Sequence, residues 1–241
     1  MTYCVATMIN AGIVFASDSR TNAGIDNISI FRKMKIFERE GYRALVIVNS
    51  GNLAITQATI NQLEQAIRNN VEPNLMSACS MYEVAELIGI ALREVRQKDL
   101  PFLTDSNVDG NASFIVGGQI AGEHQRLFLV YSEGNFIEAT ADTPYFQIGE
   151  IKYGKPIIDR VIRADTCLND AIKCVLVSFD STMRSNISVG LPIDMACYNR
   201  DSLLLKHIHR FDDQDSYMQR LRQSWGEGVR NAFSQLPNFE R

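Results

Sequence analysis

The chain has 241 residues, of which 46% are hydrophobic, and its formal net charge is −4. This length and apolar content predict a single domain over residues 1–241, because no proline-rich linker, repeat or low-complexity segment divides the sequence. The acidic balance argues against a nucleic-acid surface. The sequence has neither a signal-peptide pattern nor a run of about 18 apolar residues, which predicts a cytoplasmic protein with no membrane partner.

The first half of the sequence predicts four strands followed by two helices. Short apolar runs are separated by turn residues such as Gly12 and Gly41, which is typical of strands. These strands are expected over residues 3–9, 13–17, 35–38 and 44–49. Apolar residues at helical spacing predict helices over residues 54–68 and 81–97. Ser80 and Glu83 have the spacing of a capping box, which favours a helix start at that point.

The second half repeats this order of strands and then helices. A polar loop over residues 104–111 precedes strands that are expected over residues 114–116, 127–131, 136–139 and 145–148. Two helices follow, then strands over residues 192–198 and 202–208, and a final amphipathic helix around Trp225. Sheets flanked by paired helices, without strict alternation of strand and helix, predict an α+β fold in layers.

Thr2 is the first candidate catalytic residue in the sequence. A small side chain after Met1 lets an aminopeptidase remove the methionine, so we expect the mature chain to begin at Thr2, with no propeptide to be cleaved autocatalytically. A threonine at a free N-terminus supplies both a nucleophilic hydroxyl and a base, its own α-amine. That amine has a reference pKa of about 7.7 to 8, so a large fraction is neutral in the cell.

Three downstream residues fit the other parts of such a site. A nucleophile beside a free amine needs a cation that favours loss of its proton, and the cation needs an anion to orient it. Lys33 and Asp18 fit these roles, with Lys35 as the alternative lysine. An oxyanion formed during attack on an amide carbonyl needs an unobstructed backbone N–H, which suits Gly51.

The order of these motifs resembles a known family. Thr2, Asp18-Ser19-Arg20, a lysine followed by an apolar residue, and Ser50-Gly51 resemble the catalytic β-subunits of the proteasome, which are N-terminal-nucleophile hydrolases. The sequence is more similar still to Anbu, a bacterial group of proteasome homologues. That likeness covers nearly the whole chain and is clearest over residues 1–4, 17–24, 51–54, 148–150, 153–156 and 180–186.

The resemblance implies a four-layer αββα sandwich and threonine-dependent hydrolysis of peptide bonds, without a metal or an organic cofactor. It also implies a large homo-oligomer, either a ring or an open helix, that acts on peptides or unfolded proteins. A separate ATPase that unfolds the substrate stays open as a partner. The related bacterial sequences keep a lysine at the position of Lys33, which favours it over Lys35.

The sequence departs from the proteasome pattern around the Thr2 amine. Glu150 stands where the proteasome subunits have a serine after a glycine, so a carboxylate could orient the amine there. Asp180 matches a supporting aspartate with an offset of one residue, and the supporting serine is either Ser185 or Ser188. Two other functions therefore stay open, a proteasome-like scaffold with little peptidase activity and a small-molecule amidase of the same fold.

Other sequence motifs give weaker indications of function. Residues 149–156 have the spacing of a phosphate-binding loop, but Pro156 replaces the serine or threonine that binds Mg²⁺. His207 and His209 would face the same side of a strand, yet no third metal ligand accompanies them. The five cysteines are scattered and form no Cys-x-x-Cys pair, which predicts reduced thiols.

Overall fold

The computed structural model describes residues 2–22 and 28–240. Met1 and Ala23-Gly24, the latter part of the Anbu-like motif, lie outside the described residues. In the described part, twelve strands and five helices form three sheets with flanking helices, so the predicted mixture of sheets and paired helices is confirmed. The strands are β1 (Tyr3–Ile9), β2 (Gly12–Asp18), β3 (Arg20–Asn22), β4 (Ile28–Ile30), β5 (Met34–Arg39), β6 (Arg43–Gly51), β7 (Ala112–Ile120), β8 (Arg126–Val130), β9 (Phe136–Glu138), β10 (Tyr145–Gly149), β11 (Ile193–Asn199) and β12 (His207–Phe211). The helices are α1 (Leu53–Arg68), α2 (Met81–Asp105), α3 (Lys155–Val161), α4 (Leu168–Ser185) and α5 (Ser216–Ser234).

The first sheet places the start of β1 between two other strand ends. Its strand order is β10-β1-β2-β11-β12, and every neighbouring pair is antiparallel. Tyr3 pairs with Gly149 of β10, and Cys4 pairs with Ser17 of β2. Thr2, which directly precedes β1, is therefore bordered by the end of β2 on one side and by the end of β10 on the other.

The second large sheet has the order β5-β6-β7-β8-β9 and is also antiparallel. Gly51 closes β6 and pairs with Ala112 at the start of β7. The short strands β3 and β4 form a separate antiparallel pair.

The two large sheets pack against each other and each carries helices on its other face. One buried cluster joins α1 and α2 to the second sheet, another joins α3 and α4 to the first sheet, and a third lies between the sheets. The alternation of β1 shows how one strand serves two of these clusters. Tyr3 and Val5 belong to the helix-facing cluster, while Cys4 and Ala6 belong to the cluster between the sheets. A strand that is buried on both faces has a continuous run of apolar residues in its sequence.

Side-chain caps begin the two helices on the second sheet. The Asn52 side chain accepts hydrogen bonds from the N–H groups of the first turn of α1. The Ser80 hydroxyl accepts from the Glu83 N–H at a distance of 3.1 Å, which confirms the serine half of the predicted capping box. The Glu83 carboxylate accepts from the Cys79 N–H instead of closing the box on Ser80.

Two predicted boundaries are wrong. Helix α2 runs through Pro101 to Asp105, into the segment that was expected to be a loop, and its last turns are mostly exposed. The strand predicted over residues 202–208 begins only at His207. Asp201 and Leu203 adopt left-handed φ angles of 62° and 47°, so the chain turns before β12 starts. The strands β3 and β4 were not predicted.

Of the helices in the described part of the chain, none combines the length and the apolar character that crossing a bilayer requires.

Candidate active site

A buried ion pair lies beside Thr2. Asp18 ends β2, and its Oδ1 atom accepts a hydrogen bond from Lys33 Nζ at 2.7 Å and another from the Tyr3 N–H at 3.1 Å. Lys33 Nζ also donates to the Arg20 carbonyl oxygen at 2.6 Å. One carboxylate thus connects the ammonium of Lys33 to the peptide bond that follows Thr2.

The environment of this pair strengthens its electrostatics. The side chain of Asp18 is 0% exposed and that of Lys33 is 5% exposed, so little water screens the two charges. Burial raises the pKa of the Asp18 carboxyl, and the Lys33 ammonium together with the N–H groups of Tyr3 and Gly190 opposes that rise. A buried carboxylate holding a buried ammonium is an arrangement that fixes the lysine in one position.

The alternative lysine lies elsewhere. Lys35 Nζ pairs with Glu64 Oε1 of α1 at 2.8 Å, and its side chain is 44% exposed. Its ammonium therefore belongs to the outer, helix-covered side of the second sheet, whereas that of Lys33 is held by Asp18.

Asn49 holds the backbone of Lys33, and the sequence analysis did not identify it. Its N–H and its Nδ2 group both donate to the Lys33 carbonyl oxygen, at 3.1 Å and 2.9 Å. The Asn49 carbonyl oxygen in turn accepts from the Cys4 thiol at 3.3 Å. A polar residue inside the apolar run of β6, two positions before Gly51, was the signal available in the sequence.

Thr2 meets backbone groups on its other side. The Thr2 carbonyl oxygen accepts from the Glu150 N–H at 2.7 Å. Gly149 has a φ angle of +84°, and a Cβ at this position would overlap the Thr2 carbonyl oxygen and lie 3.0 Å from Ser50 Oγ. Gly51, with a φ angle of +114°, follows Ser50 directly, so the predicted oxyanion donor lies in the same neighbourhood as Thr2.

The Glu150 carboxylate is buried near this point, with 6% of the residue exposed. Its Oε2 atom accepts from Asn186 Nδ2 at 2.8 Å, and its Oε1 atom accepts from the Lys152 N–H at 3.3 Å. Asn186 directly follows α4 and is the second contact that the sequence analysis missed. It joins the end of α4 to the end of β10.

The structure does not bring Asp180 into this group of contacts. Its fully buried carboxylate pairs with Arg222 Nε at 2.7 Å and with Arg184 Nε at 3.3 Å, and it thereby ties α5 to α4. Ser185 is the exposed last residue of α4. Their support of the Thr2 amine stays a prediction.

No set of three or more His, Cys, Asp or Glu side chains is grouped as a metal site in residues 2–22 and 28–240. Of the two histidines on β12, His209 contacts Asp215 through Nε2 at 2.9 Å.

Comparison with known proteins identifies relatives of known structure. No family model matches the chain, and no curated protein matches it. The chain is 49% identical to Anbu (ancestral beta-subunit) from Yersinia bercovieri, with a TM-score of 0.93 and coverage of 99% of both chains. It is 48% identical to Anbu from Pseudomonas aeruginosa, solved as a helical assembly, with a TM-score of 0.94 and coverage of 99% of this chain and 98% of the other. An Anbu mutant from Hyphomicrobium sp. strain MC1 is 46% identical over 100% of both chains, with a TM-score of 0.92. The chain belongs to the Anbu (ancestral beta-subunit) family.

Proposed function

We propose that this protein is an N-terminal threonine peptidase that hydrolyses peptide bonds. The observation that carries the proposal is the buried Asp18 carboxylate, which joins the Lys33 ammonium to the peptide bond following Thr2. This arrangement suits a threonine nucleophile that carries its own base, because the cation stabilises the alkoxide that the amine generates.

The reaction needs a free amine on Thr2, so it begins once the residue before Thr2 has been removed. The amine then accepts the hydroxyl proton while Oγ attacks the substrate carbonyl, and Lys33, oriented by Asp18, stabilises the developing negative charge. The Gly51 N–H binds the oxyanion. The leaving amine takes the proton from the Thr2 ammonium, and water hydrolyses the remaining ester. The chemistry uses side chains and backbone of this chain, with no cofactor.

Three further residues are proposed to support the amine. Glu150 is the strongest of them, because its N–H binds the Thr2 carbonyl and its buried carboxylate is fixed by Asn186. Asp180 and Ser185 are the weaker candidates, since Asp180 is paired with two arginines and Ser185 is exposed.

The fold and its assembly complete the proposal. Helices, sheet, sheet and helices pack in that order, which supports the four-layer αββα sandwich of N-terminal-nucleophile hydrolases as a single domain over residues 1–241. The helical assembly of the Pseudomonas aeruginosa relative supports self-assembly of this chain into a homo-oligomer, and the proposed location of that oligomer is the cytoplasm. A small rotation between subunits decides between a closed ring and an open helix. The proposed substrates are peptides or unfolded proteins, with or without a separate ATPase.

One observation favours a second function, a proteasome-like scaffold with little peptidase activity. Glu150 replaces a neutral serine near Thr2, and a carboxylate beside an amine favours the protonated form, which is not a base. A small-molecule amidase is the third possibility, because a fold does not determine its substrate.

The test is an electrophile that requires both the hydroxyl and the amine of an N-terminal threonine. Mass spectrometry of the labelled protein should locate the adduct on Thr2, and Thr2→Ala should abolish it. A pool of peptides and small amides then separates the functions. An adduct together with peptide cleavage supports the peptidase, an adduct with cleavage of amides alone supports the amidase, and the absence of an adduct supports the scaffold. Light scattering at micromolar concentration tests assembly, and a monomer near 27.1 kDa that still reacts would contradict it.

A further inference from the structure

A cavity of about 310 Å³ opens beside the candidate active site, between the ends of the two large sheets. Ser50 and Gly51 at the end of β6 line it, together with Gly149 at the end of β10. This volume is at the lower limit for ligand pockets, which suits one long side chain better than an extended ligand.

The two glycines connect this cavity to Thr2. Gly149 contacts the Thr2 carbonyl so closely that a Cβ would overlap it, and Ser50 Oγ lies next to the same position. A Cβ at Gly51 would overlap the Asn111 carbonyl oxygen. Both positions therefore require glycine, so these two residues add no side chain to the wall of the cavity next to Thr2. Since Gly149 belongs to β10 and Asp18 to β2, the cavity lies across β1 from the ion pair.

The lining combines one carboxylate with neutral polar side chains and apolar surface. Asp109 is the charged residue among the lining residues that the structure describes. Its Oδ1 atom accepts from the Asn111 N–H at 2.9 Å, and its carbonyl oxygen accepts from Asn52 Nδ2 at 2.9 Å, so the start of α1 fixes this loop. Leu129 and Ile151 supply apolar surface to the same cavity.

We propose that this cavity binds one substrate side chain adjacent to the scissile bond, and that it selects lysine or arginine. A long cationic side chain can lay its aliphatic stem on Leu129 and Ile151 while its charged head reaches Asp109. The inference rests on the proposed peptidase function, because it assigns a specificity to the site that contains Thr2.

The experiment compares the unmodified chain with Asp109→Asn and Asp109→Lys in the digestion of a diverse peptide pool, with the cleavage sites read by mass spectrometry. We expect lysine and arginine to be enriched at one position next to the cleaved bond. A charge-assisted hydrogen bond is worth about tenfold in selectivity, so Asp109→Asn should lose about that factor. Asp109→Lys should shift the preference to aspartate and glutamate. Glu40→Gln, which removes an exposed carboxylate from the β5–β6 turn, is the matched control and should leave the preference unchanged.

Labelling of Thr2 by the small electrophile, measured on the same variants, separates the two proposals. Two results would overturn the cavity assignment while all variants label equally at Thr2. One is no enrichment of lysine or arginine next to the cleaved bond, and the other is an enrichment that survives in Asp109→Lys. Both results leave the role of Thr2 as nucleophile in place. Labelling without cleavage of any peptide also overturns it. If Thr2 does not react in any variant, the proposed function fails and the specificity proposal fails with it.

Discussion

Removing the ammonium of Lys33 should damage both stability and reactivity. In Lys33→Met the Asp18 carboxylate, which is fully buried, loses the cation at 2.7 Å. Breaking a buried ion pair by removing one partner costs about 3–5 kcal/mol, because the remaining charge is buried without compensation. Loss of a preorganised electrostatic contact to the reacting oxygen costs about a hundredfold or more in rate. We therefore expect the free energy of unfolding and the rate of Thr2 labelling to fall together.

A double variant separates these two effects. Lys33→Met combined with Asp18→Asn removes the uncompensated charge, and the asparagine Oδ1 can still accept the Tyr3 N–H. Replacing a buried ion pair with neutral groups is often close to neutral for stability. The double variant should regain most of the lost free energy of unfolding, yet its Thr2 should stay as unreactive as in Lys33→Met.

Lys35→Met is the matched control. Its pair with Glu64 is partly exposed, with 44% and 26% of the two side chains accessible, and such pairs contribute about 0–1 kcal/mol. Urea unfolding at one fixed protein concentration measures stability, since assembly also contributes to it. Lys33→Met with the stability of the unmodified chain, or a double variant with full labelling, would refute the role of the ion pair.

Three further predictions concern the amine, Asn49 and the thiols. Intact-mass analysis should show loss of Met1, and a fully retained Met1 would contradict the mechanism. The rate of Thr2 labelling should rise with pH as the Thr2 amine loses its proton and becomes a base. Asn49→Ala removes one of the two hydrogen bonds to the Lys33 carbonyl oxygen. This variant should lower the free energy of unfolding by about 1 kcal/mol and slow the labelling of Thr2. Unchanged labelling would show that the Asn49 side chain does not position Lys33. Alkylation at pH 8 should give two rapid adducts, on the two exposed thiols. The other three react slowly because burial raises the pKa of each thiol, to about 12 for two of them. A third adduct formed at the same rate in the folded protein would contradict the burial of these three cysteines. The exposed thiols are Cys79 and Cys167, and the buried ones are Cys4, Cys174 and Cys197.

Local sequence predicted the elements better than it predicted their ends. The apolar run of β1 predicted a strand, because a strand that is buried on both faces must be apolar on both. The turn before β12 was not predicted, since nothing in the local pattern marks Asp201 and Leu203 as left-handed. The neighbours of β1 could not be derived either, because its pairing with β10 joins residues about 145 positions apart in sequence.

The candidate active site likewise contains residues that the sequence predicted and residues that it did not. Asp18, Lys33 and Gly51 could be proposed from chemistry, because a threonine nucleophile needs an anion, a cation and a free N–H. The roles of Asn49 and Asn186 were not predicted, because each contacts a partner that lies far away in the sequence. Asn49 binds the backbone carbonyl of a residue 16 positions away, and Asn186 binds a carboxylate 36 positions away.

The order of the first sheet places two buried carboxylates on opposite sides of Thr2, and in the proposed mechanism they have opposite consequences for its chemistry. Asp18, at the end of β2, is neutralised by Lys33, so the pair offers a fixed cation to a developing alkoxide. Glu150, directly after β10, accepts a hydrogen bond from the neutral amide of Asn186. A carboxylate near the α-amine favours the ammonium, and the ammonium cannot accept the hydroxyl proton. In the proposed mechanism, the ion pair of Asp18 and Lys33 favours the alkoxide and the Glu150 carboxylate weakens the base, so the proposed peptidase and the proposed scaffold differ in which of these two effects is larger.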